Sequence, residues 1–246
     1  GWKYQEAEDH AYRLEELLDK HGVKINQGSH LETAVLKVAK LTERARTDHL
    51  TEATEDLRDT YRTAAGLHDL AGQLLSVEGH ADFPQLVPHL ELLNAGHALQ
   101  NIPSPGRDQA TNKVFELFLA TQAMHCGDNL VLEAPGTSDG RNPDILVSIG
   151  GRRWGIACKV FHGATSEGFA QLLLKGIDQI QKSPAEVGVV AFNAKNILDH
   201  DAYWPLANIL GAPLLPAPWA DPQIPFQLLH NDLIAHGKGL IHHLPE

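Results

Sequence analysis

Cysteine, methionine and aromatic residues are scarce in this chain of 246 residues, which holds two cysteines, one methionine and 6% Phe, Trp and Tyr. Two cysteines cannot stabilise a fold of this size through disulfides, which favours a reducing compartment. No run reaches the roughly 18 consecutive apolar residues that a membrane-spanning helix needs, and residues 1–6 show no apolar core of a signal peptide. We therefore expect a cytoplasmic protein without a membrane partner.

An excess of positive charge is also missing, because the net charge is −11 with histidine neutral. This argues against a protein that coats nucleic acid through bulk positive charge. It leaves room for an enzyme that meets a phosphate backbone locally through a metal ion. Residues 1–100 carry a net charge of −7 and residues 101–246 a net charge of −4. A phosphate-handling surface is therefore expected in the second part.

The first hundred residues show the three-to-four spacing of apolar side chains that predicts amphipathic helices. The helices are expected at about 5–20, from Ser29 onward with a capping box, at 51–75 and at 82–99. Two prolines and a glycine in residues 101–107 cannot continue a helix. We therefore predict an all-α helical domain over 1–100, a linker over 101–107 and a second domain over 108–246.

The second part alternates between helical and strand patterns, which predicts an α/β fold with a mixed sheet. Three strands in succession followed by a crossover helix and a fourth strand imply both antiparallel and parallel neighbours, with helices packed on the sheet. The predicted order is helix 108–126, strands 129–134, 143–149 and 152–161, helix 166–182 and strand 187–192, with a closing helix at 227–236.

The strand 152–161 contains a charged residue where burial is expected. Its alternation places Ala157 and Lys159 on one face and Cys158 on the other. A buried ammonium is costly unless it has a partner, so Lys159 calls for a carboxylate or an anion. Asp144 opens the neighbouring strand and is expected to meet Lys159 at one end of the sheet. Glu116, within the helix before the sheet, lies either on a solvated face or at the same site.

These elements resemble the restriction-endonuclease-like nucleases, the PD-(D/E)XK superfamily. The resemblance is carried by Glu116 on a helix, then Pro143-Asp144, then a strand ending in Ala157-Cys158-Lys159, and a helix with Gln179. It covers about residues 108–196 and does not extend to the N-terminal helices. It implies a restriction-endonuclease-like fold and a metal-dependent nuclease that hydrolyses phosphodiester bonds with Mg²⁺ or Mn²⁺.

The resemblance also implies a role for each matching residue. Asp144 is the principal metal ligand, the backbone carbonyl of Cys158 is a further ligand, and Glu116 acts through metal-bound water or a second ion. Lys159 orients or helps to deprotonate the attacking water and stabilises charge on the phosphate. Gln179 lies near the phosphates. The implied substrate is nucleic acid, with DNA favoured over RNA.

The biological setting is likewise implied only by the resemblance. Nucleases of this kind often act as homodimers, or as effector parts of restriction or anti-phage systems. The N-terminal helices are the expected place for a second subunit or a partner protein.

One position departs from the family pattern, because Ala157 stands where the family has an acidic residue two positions before the lysine. Mg²⁺ prefers six oxygen ligands, and water replaces a missing one with weaker binding. Two interpretations stay open. Either the alanine was introduced to inactivate a nuclease, or it is native and the site is degenerate or takes its acid from elsewhere, with Glu133 as a candidate.

A non-catalytic interpretation stands beside the enzymatic one. In it, Ala157 is native, the sheet is a scaffold and the helical part mediates protein association. Asp144 is then a turn residue, Lys159 protects a sheet edge from aggregation, and Glu116 lies in solvent. Lys175 and Gln179 belong to an ordinary surface, as does the turn-tip pair Arg152 and Arg153.

Overall fold

The computed structural model describes residues 4–47, 56–104, 109–136, 142–162, 165–197 and 200. Six α-helices and four strands lie in these residues. In chain order they are α1 (Tyr4–Lys20), α2 (His30–Arg46), α3 (Arg58–Ser76), α4 (Val87–Leu90), α5 (Gln109–Cys126), β1 (Asp128–Leu132), β2 (Ile145–Ile149), β3 (Arg152–Val160), α6 (Ser166–Gln181) and β4 (Val187–Asn193). The predicted closing helix at 227–236 lies outside the described residues.

The three long N-terminal helices pack against one another as their amphipathic patterns predict. Ser29 caps α2, because its hydroxyl oxygen accepts a hydrogen bond from the backbone N–H of Glu32 at 3.0 Å. The Ser29 half of the predicted capping box is therefore confirmed, whereas the Glu32 carboxylate accepts from the backbone N–H of Gly28 at 2.6 Å and not from that of Ser29. The third helix begins at Arg58, and Asp56 and Leu57 precede it without helical structure.

The prediction of a continuous fourth helix over 82–99 is wrong. The structure has a 3₁₀ turn at Phe83–Gln85, the single turn α4 and a second 3₁₀ turn at Glu91–Leu93. Pro88 explains the interruption, because it lacks a backbone N–H and its ring clashes with the preceding turn of a regular helix. Pro84 lies in the first turn, where proline is tolerated. The apolar spacing of this segment therefore belongs to a series of short turns and not to one continuous helix.

The sheet has the strand order β1-β2-β3-β4. β1 pairs with β2 and β2 with β3 in antiparallel register, whereas β4 lies parallel to β3. The parallel pair is joined by the crossover helix α6, as the predicted α-β-β-β-α-β order requires. Gly150 and Gly151 make the tight turn between β2 and β3 with positive φ angles of 58° and 77°. The mixed α/β architecture is therefore confirmed.

One hydrophobic cluster connects the helices to the sheet. It includes Leu67 of α3, Leu117 of α5 and Ile145 of β2, each with 0% exposure. At the predicted linker, the Asn101 amide donates to the Arg62 carbonyl at 2.7 Å. The division into domains over 1–100 and 108–246 stays a prediction. None of the helices in the described ranges is long and apolar enough to span a membrane.

Candidate functional site

Lys159 lies on the buried face of β3, as the alternation of that strand predicts. Its residue exposure is 8%, and β3 lies between β2 and β4, so Lys159 is not a guard of a sheet edge. Its Nζ donates to Gln179 Oε1 at 2.5 Å and to the Cys158 carbonyl at 3.1 Å. Asp144 Oδ2 lies 3.6 Å from the same Nζ. The buried ammonium is thus surrounded by oxygen atoms, which offsets its desolvation.

Asp144 immediately precedes β2 and is held against the neighbouring strand. The antiparallel register pairs Ile145 with Ile156, so Asp144, one position earlier, lies beside the last third of β3. There Asp144 Oδ2 accepts a hydrogen bond from the backbone N–H of Cys158 at 2.6 Å. With 6% exposure, Asp144 is an anchored, buried carboxylate. The predicted meeting of Asp144 and Lys159 at one end of the sheet is confirmed.

Gln179 belongs to this cluster and not to the helix surface. It is 3% exposed, and its amide nitrogen donates to the backbone carbonyl of Asn142 at 3.2 Å while its oxygen accepts from Lys159. It therefore connects α6 to the segment before β2 and holds the ammonium in place. Lys175, one turn earlier on α6, is exposed and borders the same cleft.

Glu116 reaches the same place from α5, and its alternative placement in solvent is wrong because it is only 4% exposed. Its Oε2 accepts a hydrogen bond from Lys113 Nζ at 2.7 Å and lies 3.8 Å from Nε2 of His89. His89 is completely buried. Neither of its ring nitrogens has a hydrogen-bond partner in the part of the chain that the structure describes.

Lys113, which sequence reasoning missed, and Glu133, which it named as a candidate for the missing acid, complete an ionic cluster with Glu116. Lys113 precedes Glu116 by one helical turn, and its Nζ also lies 3.8 Å from Glu133 Oε2. The backbone N–H of Glu133 donates to the carbonyl of Asp144 at 3.0 Å, which brings Glu133 to the same end of the sheet. The i, i+3 spacing of Lys113 and Glu116 was a usable signal, whereas nothing local in the sequence indicates His89.

A cleft of about 690 Å³ lies between α5, the ends of β2 and β3, and α6. The cleft is bordered by the carboxylates and ammonium groups of Glu116, Asp144, Lys113 and Lys159, and by Gln179. Every residue to which the resemblance assigns a role therefore contributes to one concave surface.

Ala157 shares its buried face with Lys159 but is fully covered, with 0% exposure. A Cβ placed on Gly176 of α6 would lie 3.4 Å from the Ala157 methyl group. A larger side chain at position 157 therefore meets α6 and must turn towards the cleft to be accommodated. Asp144 presents a carboxylate at this end of the sheet, and Glu133 Oε2 lies 3.8 Å from Lys113 Nζ.

The cluster shifts the acid–base properties of two of its members. Burial alone would lower the pKa of the Lys113 ammonium. The carboxylate of Glu116, followed by those of Asp144 and Glu133, outweighs burial, so this pKa is raised above its usual value. Burial, then the charges of Asp144 and Glu116, raises the pKa of the Cys158 thiol well above its usual value. Lys113 is therefore charged at neutral pH, and Cys158 is a neutral thiol rather than a nucleophile.

The donor atoms at the cleft suit a hard divalent cation, because carboxylate and carbonyl oxygens are the ligands that Mg²⁺ prefers. Glu116, Asp144 and the carbonyl of Cys158 could supply them. In the described ranges, however, no group of three or more His, Cys, Asp or Glu side chains is arranged to hold a metal ion. The oxygens are instead occupied by N–H groups of Lys113, Lys159 and the backbone.

The other polar residues considered from the sequence lie elsewhere. Arg153 donates to the carbonyl of Asn129 at 2.7 Å, and Arg152 lies 3.9 Å from a carboxylate oxygen of Glu186. Both arginines are at the start of β3, at the opposite end from Lys159. They do not border the cleft.

No protein-family model, no curated protein and no solved structure matches this chain.

Proposed function

We propose that this protein is a metal-dependent nuclease that hydrolyses phosphodiester bonds of nucleic acid, with DNA favoured as the substrate. The observation that carries the proposal is the buried Lys159 ammonium, 3.6 Å from the Asp144 carboxylate, at the floor of an open cleft. Two buried ionisable side chains from adjacent strands are costly to retain for packing alone. Their exposure to a common cleft indicates a chemical role.

Each residue of the cleft has its own role in the proposed hydrolysis. Glu116, Asp144 and the Cys158 carbonyl would hold Mg²⁺ or Mn²⁺, and the ion when bound would neutralise charge on the phosphate and help to acidify water. Lys159 donates N–H groups that orient the attacking water and stabilise the charge that develops on the phosphoryl oxygens. Gln179 keeps this ammonium directed at the cleft. The water oxygen forms the new bond to phosphorus, the bond to the leaving oxygen breaks, and that oxygen takes up a proton.

The electrostatics of the cleft are compatible with a polyanionic substrate despite the net charge of −11. Lys159 and Lys175 both border it. Local lysines at a cleft can contact a backbone phosphate where the overall charge does not attract one. This supports a substrate contact confined to a short stretch of nucleic acid.

Cleavage assays with the full chain test the proposal. Plasmid and single-stranded DNA and RNA are incubated with Mn²⁺ and the unmodified chain, Ala157→Asp or Ala157→Glu. Ala157→Asp is included because the position is fully buried and the shorter acid needs less room. We expect the acid variants to cut faster, and Asp144→Asn or Lys159→Met in the same background to abolish cutting. Lys182→Met, at an exposed ion pair of α6, is the matched control and should leave cutting unchanged.

A non-catalytic scaffold or protein-interaction module is the second candidate. Two observations favour it: position 157 carries a methyl group, and the acid on α5 is paired with Lys113. Circular dichroism and thermal unfolding verify that each variant folds. If the folded acid variants and the unmodified chain all fail to cut any substrate, the nuclease proposal is wrong and this candidate replaces it.

A further inference from the structure

The ionic cluster contains one cation that the nuclease chemistry does not require. Lys113 Nζ lies 2.7 Å from Glu116 Oε2 and 3.8 Å from Glu133 Oε2, and its side chain is only 15% exposed. The charge of Asp144 also acts on it. An ammonium group in the midst of three carboxylates occupies the electrostatic position that a metal ion takes in an acidic site.

We infer that Lys113 is a tethered cation that holds the acidic cluster together without metal and competes directly with a divalent ion for Glu116. The inference rests on the metal site of the proposed function and adds a control of its affinity. The Lys113 hydrogen bond takes up one lone pair of Glu116 Oε2, and the charge of the ammonium repels an incoming ion. Binding of a divalent ion is therefore weakened for as long as the ammonium stays beside the carboxylate.

The charge balance of the cluster leads to the same expectation. Three carboxylates, those of Glu116, Glu133 and Asp144, face two ammonium groups, those of Lys113 and Lys159. The net charge of −1 does not compensate a divalent ion. Without the charge of Lys113, the same set carries −2 and matches the ion.

The position of Lys113 on the helix makes the competition effective. The residue is one turn before Glu116 on α5, so the folded helix keeps its ammonium within reach of the carboxylate at all times. The metal concentration at which the site loads is thereby raised. Lys175 borders the same cleft from an exposed position on α6, and it is the matched control.

Mn²⁺ binding to the full chain tests the inference, measured through the loss of the free-ion electron paramagnetic resonance signal and through the Mn²⁺-induced rise in melting temperature. We expect Lys113→Met to tighten Mn²⁺ binding on the order of tenfold, as removal of one adjacent charge predicts. Lys113→Arg keeps the charge and should bind as weakly as the unmodified chain. Lys175→Met should change the dissociation constant less than twofold.

The unfolding data separate competition from a purely structural role. Lys113→Met should melt at a lower temperature than the unmodified chain in EDTA, and Mn²⁺ should raise its melting temperature more. If Lys113→Met is unfolded in EDTA, Lys113→Gln, which retains a hydrogen-bond donor, replaces it. A folded neutral variant whose Mn²⁺ affinity is unchanged, or a tightening shared equally by Lys113→Arg, overturns the inference.

Failure of this inference is distinguishable from failure of the proposed function. Cutting by Ala157→Asp together with unchanged Mn²⁺ affinity in Lys113→Met refutes the competition and keeps the nuclease. Tighter Mn²⁺ binding in Lys113→Met without cutting by any variant supports the competition and refutes the nuclease. Absence of Mn²⁺ binding in every variant refutes both.

Discussion

Asp144 and Lys159 meet at the end of two antiparallel strands, with Asp144 Oδ2 3.6 Å from Lys159 Nζ and each side chain less than a tenth exposed. The attraction between two charges this buried is offset by the cost of desolvating them. Removal of one partner leaves the other charge uncompensated. The same relationship that supports catalysis therefore makes the stability of the sheet sensitive to either residue.

Replacement of Lys159 by Met should lower the free energy of unfolding by about 3 kcal/mol, because the Asp144 carboxylate is left without its ammonium. Adding Asp144→Asn should recover part of that loss, since the amide carries no charge. Urea denaturation of the two single variants and the double variant measures the coupling. If the loss of stability in the double variant equals the sum of the two single losses, the two side chains do not interact.

Replacement of Gln179 by Leu should lower the free energy of unfolding by roughly 1–3 kcal/mol, because the Lys159 ammonium and the Asn142 carbonyl each lose a buried hydrogen bond. Gln171→Leu provides the control on the same helix, where the amide donates to the exposed Glu167. Its effect should stay within about 0.5 kcal/mol. Chemical denaturation measures both, and comparable effects would contradict the bridging role of Gln179.

Replacement of Gly176 by Ala should destabilise the protein by about 1–3 kcal/mol through overpacking, although alanine is the better helix former. A Cβ there would lie 2.7 Å from a methyl carbon of Val190. Gly72→Ala in α3 is the control, because its Cβ would meet only ordinary contacts, at 3.4 Å and beyond, with the His10 ring. That variant should be unchanged or more stable by up to about 1 kcal/mol. Thermal melts compare the two, and equal stabilisation would mean that α6 is loosely packed on Ala157.

The two thiols should differ sharply in reactivity. Cys126 is exposed, whereas Cys158 is largely buried and the pKa of its thiol is raised. Since the thiolate is the reactive form, Ellman's reagent at pH 8 should titrate one thiol in the native protein and two in denaturant. Cys126→Ser should abolish the native reaction. Rapid reaction of Cys158 in that variant would show that the cleft floor opens.

Local patterns determined much of the architecture of this protein. Strand and helix periodicities after residue 108 predicted the α-β-β-β-α-β order, and the period of two along β3 placed Lys159 on the same face as Ala157. The turn at Gly150 and Gly151 made β2 and β3 neighbours, which brought Asp144 to Lys159. These features could be predicted because they depend on residues close in sequence or on one tight turn.

Tertiary structure alone decided the rest. The segment of short turns before α5 packs so that His89 is buried beside Glu116. Packing of α6 covered Ala157, and the approach of β1 to α5 joined Glu133 to Lys113. Each of these contacts joins residues far apart in sequence or depends on how whole elements pack. The periodicity of the sequence therefore does not predict them. The sequence by itself determined which elements form and which faces they bury, whereas packing decided which charges share the cleft.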